Sequence, residues 1–288
     1  MQIGLQIPDF TRPEGPTTLG AALAQVARTA DEQGFDYVAV MDHFFQIAAV
    51  GPSENEMLEA YTTLGFLAAY TERAKLLTVV TGVHYRTPGL LAKTITTLDV
   101  LSRGRAWLGI GAGWNEEESL GLGLGFPPVA ERFELLEETL QICLQMWRED
   151  DVVPYAGKHF QLNRPMNSPQ ALQRPHPPIM IGGGGEKKTL RMVAKYADAC
   201  NLFASPEVGR KLDILKEHCE REGRDYESIL KTAYYGFDTS AGAAKIIEDL
   251  RRLSALGFQA AIGVVADVYS IKPLEIIGQE VIPEVAGL

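Results

Sequence analysis

The stretch LLTVVTGVHYRTPGLLAKTITTLDVLSRGRAWLGIGAG, residues 76–113, contains one complete structural unit. Leu76 to Val83 is an apolar, β-branched run and reads as a buried strand. A helix is expected from about Pro88, with Leu91, Ile95, Leu98 and Leu101 turned inward and Gly104 as its stop. RAWLGIG, near Arg105 to Gly111, reads as the next strand. Strand, helix, strand is the repeating unit of an α/β fold.

The same rhythm extends in both directions. A first strand, roughly Gln2 to Ile7, leads to a helix whose Leu19, Leu23, Val26, Ala27 and Ala30 share one face before Gly34. YVAV, residues 37–40, is the second strand, with a helix near Leu58 to Tyr70 after it. Beyond the opening stretch, Phe133, Leu136, Leu140, Leu144 and Trp147 form another helical stripe. IMIG (179–182), DACNLF (198–203), ILKTAYYG (229–236) and QAAIGVV (259–265) continue the series, and an amphipathic helix over roughly Leu274 to Val285 ends it. Eight strand–helix units predict a (β/α)8 barrel of the TIM type, one domain over 1–288, in preference to an open doubly wound sheet. The rhythm breaks between about 149 and 178, where six prolines and a hairpin-like VVPYAGKHFQL suggest an insertion acting as a lid.

Composition narrows the function. The 288 residues are 46% hydrophobic, enough for a full core, and no run is long enough to span a bilayer. A net charge of −10 argues against nucleic acid or anionic membrane as partner and leaves a small-molecule substrate. Cys143, Cys200 and Cys219 show no metal or redox spacing, and no secretory leader is evident, so a reduced, cytoplasmic protein is expected. No metal site is expected.

In such a barrel, chemistry belongs where strands end. The second strand ends in Asp42-His43, an acid that could hold a heterocycle and an imidazole that could move a proton near neutral pH; a solvated loop is the plain alternative. The third ends in Thr81-Gly82-Val83. The fourth ends in Gly111-Ala112-Gly113-Trp114-Asn115, where missing side chains open one wall of the mouth; this is not the dinucleotide fingerprint, because no helix follows directly. Glu116, Glu117 and Glu118 are expected to start a solvated turn. The fifth ends in Gly182-Gly183-Gly184-Gly185 before a helix, a cradle suited to phosphate. Phe10, Tyr85 and Trp114 suggest an apolar substrate wall. No nucleophile is evident, which points to a cofactor as the source of the chemistry.

MDHFF, TGV…RTPGLLAKTITTLDVLSRGRAWLGIGAGWNEEE, ERFELLEETLQI and HPPIMIGGGGEKKTLRMVAKYADACN, taken in order, resemble the luciferase-like monooxygenase superfamily, and most nearly its deazaflavin-dependent branch. The resemblance implies a luciferase-like barrel with insertions at the C-terminal face, a homodimer, and the cofactor coenzyme F-420 lying across the mouth. It implies Asp42, Thr81, Gly82, Val83, Gly111, Ala112, Gly113, Asn115 and Gly182 to Gly185 at the cofactor, His43 as the proton-transfer residue, and a non-proline cis peptide at Gly82–Val83. The branch's sugar-phosphate dehydrogenases carry an acid directly after the fourth-strand glycines. Trp114 stands there in this chain, which implies an apolar organic substrate instead. The readings are therefore a deazaflavin-dependent oxidoreductase, an FMN-dependent monooxygenase on the same barrel, or a non-catalytic flavin-binding protein.

Overall fold

The structure, a computed structural model, describes residues 1–150 and 152–288; Asp151, within the expected insertion, lies outside the described residues. The strands are β1 (Gln2–Ile7), β2 (Tyr37–Val40), β3 (Lys75–Thr78), β4 (Thr81–Gly82), β5 (Leu108–Gly111), β6 (Tyr155–Ala156), β7 (Gln161–Leu162), β8 (Ile179–Gly182), β9 (Ala199–Phe203), β10 (Leu230–Tyr234) and β11 (Ala260–Val264). All but β6 and β7 form one sheet in the order β3-β2-β1-β11-β10-β9-β8-β5-β4, and its ladders are parallel. Leu76 of β3 also bridges to Ala106, just ahead of β5, so the two ends of the sheet meet and the barrel is nearly closed.

Helices wrap the outside: α1 (Leu19–Glu32), α2 (Ala60–Ala68), α3 (Pro88–Leu101), α4 (Glu116–Gly121), α5 (Val129–Met146), α6 (Thr189–Tyr196), α7 (Val208–Glu222), α8 (Ala243–Ala255), α9 (Lys272–Ile276) and α10 (Ile282–Val285). The expected inner face of α1 is buried, and Gly34 takes the left-handed conformation (φ 90°) that ends it. On α3, Leu91, Ile95 and Leu98 are buried, but Leu101 is 70% exposed: the helix ends there and its last residue clears the core. A π turn, Ile277–Val281, links α9 to α10; Leu274, Ile277, Val281 and Val285 still share one buried stripe, so the expected C-terminal helix is one rod. No helix among the described residues is long and apolar enough to cross a membrane.

The third expected strand is split into β3 and β4 by Val79-Val80, whose peptide bond is cis. This corrects the expected position at Gly82–Val83. Thr81 and Gly82 pair in regular register with Ile110 and Gly111, so the irregularity must fall before them. The glycines of β5 and β8 then acquire a structural purpose. A Cβ on Gly182 would lie 2.9 Å from both Val80 methyls, and one on Gly111 would lie 3.1 Å from one of them. Glycine is used where neighbouring groups approach this closely.

Inside the barrel, Tyr37, Ala39, Leu77, Trp107, Met180 and Ile262 pack into an apolar floor. Above it the interior becomes polar. Tyr234 donates to Gln6 Oε1 at 2.6 Å, and Gln6 Nε2 donates to the Val79 carbonyl at 2.9 Å. The apolar layer carries stability, about 1.5–3 kcal/mol per fully buried large side chain; the polar layer faces the mouth.

The described part of the 149–178 segment, expected as a lid, is tied to the outer helices. β6 and β7 form a two-stranded ribbon whose Lys158, His159 and Phe160 N–H groups are held by Glu138 of α5. Further on, Asp99 of α3 accepts from the Leu172 and Gln173 N–H groups, and Gln173 Nε2 reaches the Ala106 carbonyl at the start of β5. Two buried carboxylates therefore fasten the segment to the outer helices.

Candidate active site

Asp42 and His43 follow β2 directly and face different surroundings. The Asp42 side chain has no exposure. Its Oδ2 accepts from Thr81 Oγ1 and from Arg86 Nη1, and its Oδ1 from Arg86 Nη2 at 3.1 Å, a two-pronged ion pair. Arg86 also bonds Glu59 at the start of α2 and stacks over the Tyr61 ring. Asp42 is thus satisfied within the wall and not open to the mouth, in contrast to the cofactor contact expected for it. Thr81 and Val83 are likewise buried.

His43 Nδ1 lies 2.6 Å from Glu118 Oε1, and the ring meets Trp114 edge-on with centroids 5.2 Å apart. Glu118 has no exposure, so the expected solvated turn is corrected at this residue. Its carboxylate accepts from four donors: His43 Nδ1, the Tyr85 hydroxyl, and the N–H groups of Phe44 at 2.7 Å and Phe45 at 3.2 Å. Burial pushes this carboxyl up, but the His43, Tyr85 and Phe44 hydrogen bonds outweigh it and hold the group below the ordinary range. An ionised carboxylate only accepts, so Nδ1 of His43 carries a proton and points it at Glu118. Nε2 has no protein partner among the described residues.

Other expected residues divide clearly. Trp114 is 62% exposed at the mouth. Tyr85 is buried against Gly82 and spends its hydroxyl on Glu118; Phe10 is 1% exposed in the core, so neither forms an open wall. Asn115 caps α4 and accepts from the Glu118 N–H. Gly113 (φ 75°) has the His84 ring against it, where a Cβ would lie 2.4 Å from Cε1. Burial, helped by Arg132, pulls the His84 imidazole down to about 4 against a weaker upward pull from Glu118. At neutral pH its Nε2–H therefore donates to Ser119 Oγ, at 2.8 Å, and Ser119 in turn donates to the Asn115 carbonyl.

Gly182 to Gly185 connect β8 to α6, but the loop is not a row of free donors. Gly183 N–H donates to the Asn201 carbonyl, and Lys211 Nζ holds the Gly184 carbonyl at 2.8 Å. The N–H groups of Gly184 and Gly185 have no protein acceptor among the described residues. Lys187 and Lys188 are exposed beside them. Val79 and Val80 stand half-exposed where β3 breaks. These residues suit a flat, anion-bearing cofactor: two apolar side chains to back a ring and unused N–H donors for phosphate.

Cys143 and Cys200 are buried, and burial pushes both thiols up to about 12, so neither is a nucleophile. No group of three or more metal-ligating side chains occurs among the described residues. Arg86, Glu118, His84, Val79 and Val80 were not evident as site residues in the sequence. Glu118 did leave a signal, since Asn115-x-x-Glu118 is an N-cap with an acid at the third helical position.

A nearly closed parallel barrel with an imidazole held at its C-terminal mouth has the architecture of the TIM-barrel class. The chain belongs to the luciferase-like monooxygenase family, which matches residues 1–262. It is 30% identical over 251 residues to a coenzyme F-420-dependent glucose-6-phosphate dehydrogenase of Kineococcus radiotolerans, covering 83% of this chain and 70% of that one. Among solved structures, a coenzyme F-420-dependent secondary alcohol dehydrogenase in complex with a cofactor–acetone adduct superposes with TM-score 0.83 at 18% identity, covering 99% and 98% of the two chains. Monooxygenase RslO1 from Streptomyces bottropensis gives 0.77 at 18% identity, covering 98% and 99%.

Proposed function

We propose that this protein is a deazaflavin-dependent oxidoreductase that uses coenzyme F-420 and a small organic substrate. The observation that carries the reading is His43: Nδ1 is locked onto buried Glu118 while Nε2 stays free at the mouth. When bound, the deazaflavin supplies a two-electron centre that accepts or gives a hydride. The chain's own residues do the rest. His43 Nε2 takes or returns the proton on the substrate's polar end, and ionised Glu118 stabilises the imidazolium. Val79 and Val80 support the ring, and the Gly184 and Gly185 N–H groups hold its anionic tail. The Asp42–Arg86 pair sets the end of β2, and with it the direction of His43.

Replacing His43 with Ala tests this. Turnover should fall by about 10²–10⁴, the usual contribution of general acid–base catalysis, while deazaflavin affinity read by fluorescence stays within about threefold. Undiminished turnover would remove His43 from the mechanism. A structural neighbour in complex with FMN, the oxygenating constituent of a 3,6-diketocamphane monooxygenase from Pseudomonas putida, supports FMN as the second reading. Titrating the protein with both cofactors separates them, and tight FMN binding without deazaflavin binding would overturn the first.

A further inference from the structure

A cleft of about 510 Å³ opens between the ends of β1, β10 and β11. Pro8, Phe237, Val264, Val265 and Tyr269 give it apolar walls. Ala49 and Val50 close it from the loop that begins at His43, so cleft and imidazole share one end of the barrel and one loop. Its volume is that of a small-molecule site, about 300–1,000 Å³.

The charged groups lining this cleft are all acidic. Asp9, Asp238 and Asp267 border it; among the described residues no lysine, arginine or histidine lines it. None of the three acids makes an ion pair among the described residues. Asp238 is held by the Ser240 N–H and hydroxyl, and Asp9 Oδ1 by the Thr11 N–H. Asp9 Oδ2 and the Asp267 carboxylate have no protein donor among the described residues. Beside the cleft, Arg12 stacks over Tyr269 and is itself paired with Glu14. Asp238 and Asp267 stand exposed at the rim and Asp9 is half-buried; carboxylates there accept hydrogen bonds and repel anions.

We infer that this cleft is the substrate pocket and takes an apolar molecule whose polar end donates hydrogen bonds, an alcohol or a primary amine. Carboxylates and phosphates are rejected. The word substrate rests on the reaction proposed above; the cleft's selectivity does not.

Benzyl alcohol, benzylamine and benzoate share one body and differ in polar end, so ligand-observed NMR on the whole protein tests the inference without cofactor. The alcohol and amine should bind, with benzoate about tenfold weaker or absent. Ala49→Trp, at an exposed loop position, should fill the cleft and weaken alcohol binding about tenfold with the melting temperature unchanged. Asp9→Asn, Asp238→Asn and Asp267→Asn together keep the local acceptors and remove the charge. That variant should bind benzoate about tenfold better and benzylamine about tenfold worse, with the alcohol little changed. Wild-type benzoate binding equal to the alcohol's, no binding of any probe, or an order unmoved by the triple variant would each overturn the inference. Deazaflavin binding is read separately: its loss with the probe order intact breaks the proposed reaction and leaves the pocket standing.

Discussion

At the β2–β5 corner of the mouth, the Glu118 carboxylate is filled by four protein donors and Asp42 by Arg86 and Thr81. One strand further on, after β8, which pairs with β5, the Gly184 and Gly185 N–H groups meet no acceptor among the described residues, and Lys211 holds the loop through one carbonyl. The first corner is complete without a ligand; the second has donors to spare. Proton transfer needs a ring fixed to within fractions of an ångström, and the protein supplies that rigidity itself. Anion binding needs donors left over.

Substitutions should therefore hurt the two regions in different ways. Arg86→Met leaves the Asp42 carboxylate buried and unpaired and should cost about 3–5 kcal/mol in urea unfolding. Adding Asp42→Leu should recover part of that loss, and a double variant as unstable as the single one would break the account of a self-contained pair. Glu118→Gln keeps the shape but loses the charge that holds the His43 proton on Nδ1. Turnover should drop about tenfold or more, with cofactor affinity unchanged. Its unfolding also has a definite pH sense. The folded carboxyl is depressed, so its stabilisation is present above the unfolded value of 4.5 and lost as pH falls through the lower folded value. The wild-type advantage over Glu118→Gln should shrink in that acid range.

His84 gives a smaller effect at higher pH. Its folded value, about 4, lies below the unfolded 6.5, so the unfolded chain takes the proton first. Stability should be full above pH 6.5 and fall towards pH 4, by no more than about 1.4 kcal/mol per pH unit. Melting curves of His84→Gln should lack that slope. The mildest change is on the open side: Lys211→Ala should weaken deazaflavin binding only about threefold, because the lysine is partly exposed and touches the loop through one carbonyl.

The barrel was legible because its signals are local. A buried strand, an amphipathic helix and a terminal glycine can each be read within about ten residues, and α1 matches its expected face closely. The site was legible only as far as strand ends predict it. Asp42 and His43 could be placed at a strand end, but the burial of Asp42 could not be read there, because its partner Arg86 lies 44 residues away. Glu118 was taken for a solvated acid because its partner is 75 residues away. Gly111 and Gly182 looked like room for a ligand, yet they make room for Val80, whose cis peptide with Val79 leaves no mark in composition.

The Glu118 bridge has a bearing on how this mouth can be rebuilt. It welds the loop after β2 to the turn after β5, so neither is an independent module. Grafting the MDHFF loop alone onto another barrel would transplant a swivelling imidazole. The smallest piece that carries a usable base is the two loops together, moved as one cassette.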